Sequence, residues 1–217
     1  MSTNKRPPAR NESGDGDGDI VVDLFPFLRV YKDGRIKKFV RHTSVPASGE
    51  KNSNGIVTKD VVIDDNTGVS VRLFLPVDVA VAAAAASRRL PLVVYIHGGA
   101  FCSGSASAEM FHRYAESLAA RAAVVVVSVD YRLAPDHPLP AGYDDAWAAL
   151  RWAVSRHSDP WLANYADTTC MFLAGESAGA NIVHNHRAQR GVTGRRRRHR
   201  GHNTLAAMLL GHPPVTV

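Results

Sequence analysis

Between residues 90 and 180 the chain alternates continuous apolar runs with helically spaced ones. Residues 92–96 (LVVYI), 122–129 (AAVVVVSV) and 170–174 (CMFLA) are short apolar runs that predict strands buried on both faces. Between them, residues 107–121 place apolar side chains at Met110, Tyr114, Leu118 and Ala119. Residues 143–154 do so at Trp147, Leu150 and Trp152, and both spacings predict helices. A further helix is predicted from Ser177. Strand and helix in alternation predict an α/β fold, with a mostly parallel sheet covered by helices on both faces. Chemistry in such sheets gathers at the carboxyl ends of the strands.

Upstream, residues 59–63 and 69–75 are β-rich and flank DDNTG at 64–68, which predicts a hairpin. The run of alanines at 82–86, followed by SRR, reads as a low-complexity surface loop, with a short helical turn as the alternative. Residues 1–19 are polar and read as a flexible lead-in. The DGDGD at 15–19 is like the start of a calcium loop. However, Ile20 and Pro26 stand where such a loop needs Gly and a bidentate Glu, so a solvated linker is expected.

Composition changes this picture in one respect. The 217 residues carry 26 Lys+Arg and 20 Asp+Glu, a net charge of +6, which ordinarily raises a polyanionic partner. Seven arginines fall within 187–200, and no Asp or Glu follows Glu176. The first 186 residues therefore hold 19 basic against 20 acidic residues, and the excess belongs to the tail. Cys102 and Cys170 do not make a disulfide framework. The polar start lacks the apolar core of a secretory signal, and no apolar run reaches the roughly 18 residues of a membrane span. A cytoplasmic or nuclear protein without membrane insertion is expected.

Two motifs carry chemistry. Gly175-Glu176-Ser177-Ala178-Gly179 follows a predicted strand and opens a predicted helix, the setting that raises G-x-S-x-G above chance. Small residues at Gly175 and Gly179 let strand and helix approach, so that Ser177 would sit on a strained elbow as a nucleophile. The Ala178 N–H would then face any oxyanion formed there. His97-Gly98-Gly99-Ala100 follows an earlier strand, where an oxyanion loop belongs, and Gly98 and Gly99 can offer N–H groups without an obstructing Cβ. His97 is read as a brace for that loop and not as the catalytic base. The proline-rich stretch from Asp130 to Trp147 is read as a rigid loop before a helix, with Asp144 and Asp145 suited to the helix dipole.

Several stretches together resemble the plant carboxylesterases of the hormone-sensitive-lipase-like group, in the α/β-hydrolase superfamily. They are FPFLRVYKDGR at 25–35, HGGAFC at 97–102, FHRY at 111–114, VDYRLAP at 129–135 and GESAGAN at 175–181. The resemblance implies Ser177 as nucleophile, Gly98, Gly99 and Ala178 as oxyanion hole, and a lid built partly from residues 20–41. It implies small-molecule esters as substrates, with no metal or other cofactor. The same group includes the gibberellin receptors, so a non-catalytic hormone-binding module is the alternative function. Ala100 and Ala180 depart slightly from the pattern, since both are commonly Gly, and neither change removes an N–H.

A third departure is larger. The triad order of this superfamily is Ser, acid, His. Here no acid follows Glu176, and the later histidines, at 184, 186, 199, 202 and 212, lie on the nucleophile's own helix or in the tail. The triad acid and base are thus absent from their expected positions, and impaired catalysis is expected. The organisation expected is a lead-in at 1–19, the N-terminal part of an α/β-hydrolase domain at 20–186, and a divergent disordered tail at 187–217. That tail breaks from the family pattern at Gly191 and has no aromatic residues for base stacking, which argues against nucleic acid as its partner. A splicing or reading-frame error in the coding sequence is the preferred account of it, and truncation of the domain is the expectation.

Overall fold

The computed structural model describes residues 20–155, 159–193 and 203–210, in two compact units divided after Arg41. The lead-in and its calcium-like stretch lie outside the described residues. In the first unit, short strands separated by tight turns pair as an antiparallel sheet in the order β1 (Ile20–Leu24), β2 (Leu28–Tyr31), β3 (Ile36–Lys38). The turn before β3 uses Gly34 at φ +83, a conformation open to glycine at little cost.

The second unit is built on six strands. The expected hairpin is β4 (Ile56–Asp64) and β5 (Val69–Pro76), antiparallel and joined through Gly68 at φ +72. Then follow α1 (Val77–Ala85), β6 (Leu90–Ile96), α2 (Glu109–Ala122), β7 (Val125–Asp130) and α3 (Ala141–Ala153). The chain continues through α4 (Pro160–Tyr165), β8 (Ala166–Glu176), α5 (Ala178–Thr193) and β9 (Asn203–Leu210). The sheet runs β4-β5-β7-β6-β8-β9, and β7, β6, β8 and β9 are parallel to one another. Among the described residues no helix is long and apolar enough to cross a membrane.

The apolar runs become strands because both their faces are covered. On one face Phe111, Ala115 and Ala119 of α2 pack on Phe74, Val93, Tyr95 and Val126. On the other, Ala149 and Leu150 of α3 and Ile182 of α5 pack on Leu73, Leu92, Val94 and Val127. Burying each such side chain contributes roughly 1.5–3 kcal/mol, so these runs could not stand at a surface.

Two expectations are corrected. The alanine run is the second half of a helix and not a loop, because alanine has the best helix propensity and Val77 to Val81 supply the first turn. The stretch 187–217 is not wholly without regular structure. It begins as the last turns of α5, and its apolar run TLAAMLL supplies β9, which continues the parallel sheet beside β8 from Cys170 to Glu176. The Arg cluster at 195–200 lies outside the described residues.

Candidate active site

The junction of β8 and α5 is tight enough to dictate its residue types. A Cβ added to Gly175 would stand 2.6 Å from the Gly179 carbonyl carbon, and one added to Gly179 would stand 2.0 Å from the Ile96 carbonyl oxygen. Between them Ser177 adopts φ +48, a left-handed conformation that costs a non-glycine residue roughly 1–3 kcal/mol. Its carbonyl accepts the Asn181 N–H at 3.0 Å, so the strained residue is already tied into the first turn of the helix. The positive end of the 16-residue α5 therefore lies at Ser177 and Ala178.

The other motif is brought directly against this elbow. A Cβ on Gly98 would lie 3.4 Å from Ser177 Cβ and 3.1 Å from the Glu176 carbonyl oxygen. The loop then turns through three left-handed residues, Gly99, Ala100 and Phe101, at φ +112, +53 and +62. It closes where the Cys102 and Ser103 N–H groups both donate to the Gly99 carbonyl, at 3.0 and 2.9 Å.

Two carbonyls of the loop are pinned from behind. The Tyr131 hydroxyl donates to the His97 carbonyl at 3.0 Å and lies 3.4 Å from that of Gly98, which also accepts from His97 Nδ1 at 2.7 Å. In a planar trans peptide the C=O and the following N–H point in opposite directions. Fixing these two carbonyls thus turns the Gly98 and Gly99 N–H groups away from Tyr131 and the imidazole. Such an arrangement, a strained hydroxyl beside two oriented amides and a helix start, can accept a developing oxyanion.

His97 is fully buried, stacked between Tyr131 at 4.4 Å and Phe111 at 5.0 Å. Its proton sits on Nδ1, because that nitrogen faces a carbonyl. Nε2 is buried with no partner among the described residues, so a second proton would leave an unpaired buried charge. Burial accordingly lowers the His97 pKa to about 4, against a smaller upward pull from the Gly98 carbonyl. Stability should therefore fall on acidification. Between about pH 6.5 and pH 4 the unfolded chain takes up a proton that the folded chain refuses, costing about 3 kcal/mol, and the loss levels off below pH 4. Urea midpoints at pH 7 and 4.5 would show this drop, and His97→Gln should flatten it.

Supporting contacts fix the neighbourhood. The buried Tyr95 hydroxyl donates to Glu176 Oε1 at 3.0 Å, and burial followed by the Glu176 charge raises its pKa. Arg132 holds the buried Asp145 through Nη2 at 2.7 Å, while its own backbone N–H donates to the same carboxylate at 2.9 Å. Asp145 is thus an ion-pair partner that anchors the loop after β7, a role the dipole reading missed. Tyr131 was also missed. Both act across the fold, and the VDYRLAP stretch that contains Tyr131 does not by itself show what its hydroxyl touches. Among the described residues, no group of three or more His, Cys, Asp or Glu side chains is placed to hold a metal ion.

Comparison with known proteins bears on the same features. The profile of a family described as alpha/beta hydrolase fold matches residues 93–217. This chain belongs to that family. The matched span includes the Arg-rich stretch, which the sequence had suggested lay outside the family pattern. The chain is 47% identical over 172 residues to tuliposide A-converting enzyme 2 of Tulipa gesneriana, covering 77% of this chain and 43% of the relative. It is 44% identical over 173 residues to Probable carboxylesterase 13 of Arabidopsis thaliana, covering 78% and 52%. Among solved structures it is similar to a hyperthermophilic esterase from Pyrobaculum calidifontis. That match has 35% identity and a TM-score of 0.50, and it covers 62% of this chain and 40% of the esterase. The chain is a plant-carboxylesterase-like member of the α/β hydrolases, and it spans about half the length of the curated relatives it matches.

Proposed function

We propose that the site hydrolyses small carboxylic esters through an acyl-enzyme formed on Ser177. Ser177 Oγ attacks the ester carbonyl carbon, and the resulting O⁻ is held by the N–H groups of Gly98, Gly99 and Ala178. The alkoxy C–O bond then breaks and the alcohol leaves with a proton. Water attacks the acyl-serine, releases the acid and restores the hydroxyl. The observation that carries this reading is the left-handed Ser177 set directly against Gly98 at the carboxyl ends of adjacent parallel strands. Relatives named for carboxylesterase and esterase activity support it. The test is covalent trapping. A fluorophosphonate probe should add one label, mapped to Ser177 by peptide mass and absent from Ser177→Ala; labelling confined to another residue would sink the assignment.

A hormone-receptor type of binding site is the second reading. It is favoured by where three of the described histidines place their side-chain hydrogen bonds: His42 on Ser103, His97 on Gly98, and His112 on Arg72. Under that reading a small apolar acid would protect Ser177 from the probe while no ester is turned over.

A further inference from the structure

Residues 42–45, which open the second unit, are bonded at each position to the oxyanion loop or the start of α2. Thr43 accepts the Glu109 N–H at 2.8 Å, and the Val45 N–H donates to the Ser107 carbonyl at 2.9 Å. Ser44 forms a β-bridge with Ala108 and donates its hydroxyl to Ser107 Oγ at 3.0 Å. His42 Nε2 is hydrogen-bonded to Ser103 Oγ at 2.9 Å. Of these contacts, only the last reaches the turn that presents Gly99.

Ser103 is the closing residue of that turn. Its N–H donates to the Gly99 carbonyl, and a Cβ on Gly99 would stand 1.9 Å from the Ser103 carbonyl oxygen. Gly99 and Ser103 are therefore held in close contact. The Ser103 side chain is buried, so its hydroxyl needs a protein partner. The His42 ring lies 6.0 Å from Phe111, whose own ring stacks on His97. The brace behind the loop and the bond in front of it thus share one aromatic wall.

We infer that His42 is a positioning residue: through Ser103 it holds the turn from Gly99 to Ser103, and with it the Gly99 N–H, in the place an oxyanion requires. The inference rests on the hydrolase reading for its purpose, although not for its geometry. Neither residue belongs to the motifs that mark the site, and they lie 61 positions apart.

The full chain should be compared with His42→Ala, Ser103→Ala, the double variant and His42→Gln, whose amide nitrogen can take the place of Nε2. Hydrogen exchange of the Cys102 and Ser103 amides should quicken by about fivefold to tenfold in either alanine variant, the effect of one neutral hydrogen bond. The double variant should be no faster than the singles, and His42→Gln should restore most of the protection. Fluorophosphonate labelling of Ser177 should slow in the same order. Unchanged exchange at Cys102 and Ser103 in His42→Ala would overturn the inference whatever the labelling shows. Acceleration spread equally over β6 and β7 would also overturn it, as a general loss of stability. A wild-type chain that resists the probe, with the loop exchange behaving as expected, would instead overturn the hydrolase reading.

Discussion

Gly179→Ala is expected to lower the melting temperature by about 6–12 °C, the equivalent of roughly 3 kcal/mol in a chain of this size. The added methyl would stand 2.0 Å from the Ile96 carbonyl oxygen and 2.7 Å from that of His97. Carbon–oxygen contacts in proteins close to about 3.3 Å at best, so helix and strand would have to part by more than 1 Å. Both obstructing atoms are backbone, and no side chain can rotate to make room. Separation would loosen Ile182, which is fully buried against the sheet, together with the alignment of Ser177 over Gly98. Gly68→Ala is the matched control. It also adds a methyl to a glycine, here at φ +72 with nothing within 4 Å, so only the left-handed penalty of roughly 1–2 kcal/mol applies. Thermal unfolding followed by circular dichroism decides between them. A Gly179→Ala midpoint above that of Gly68→Ala would mean that the two backbones are not in contact.

That close approach was legible in the sequence as a pair of glycines around a serine, and so was much of the sheet. β6, β7 and β8 are readable because strands covered on both faces need uninterrupted apolar runs, and α2 is readable from its 3.6-residue spacing. The sheet order is not local information. That β7 lies between β5 and β6 is set by pairings between segments far apart in the chain. β9 was obscured for a different reason. Its run of small and aliphatic residues is compatible with a strand only once β8 offers an edge to pair with, and the preceding arginines drew attention to charge. The site divides in the same way. Ser177, Gly98 and Gly99 are identified by backbone demands that leave a motif. The roles of Tyr131 and His42 are read only from what they touch, 34 and 61 residues away.

Turnover of a short-chain nitrophenyl ester by these 217 residues is expected to stay at about 1000–10,000 times the rate in water, the level that an oxyanion hole and binding retain without a complete triad. The proton of Ser177 must go somewhere as Oγ attacks. His97 cannot take it, since burial lowers its pKa to about 4 and its Nδ1 proton is committed to the Gly98 carbonyl. His112 is buried and faces the Arg72 guanidinium at 3.1 Å; burial first, and then that positive charge, disfavours its protonation. His184 lies seven residues along α5 from Ser177, about 10 Å at the helical rise. No Asp or Glu follows Glu176 to orient any later histidine. None of these three histidines is placed to take the proton, and solvent is the expected acceptor. The rate should climb with hydroxide concentration through pH 9, without the plateau near pH 7 that a histidine base produces. Ser177→Ala should leave a rate of the same order, because the oxyanion hole and binding do not need the hydroxyl. A plateau near neutrality, lost in Ser177→Ala, would refute this expectation and show that a histidine acts as the base.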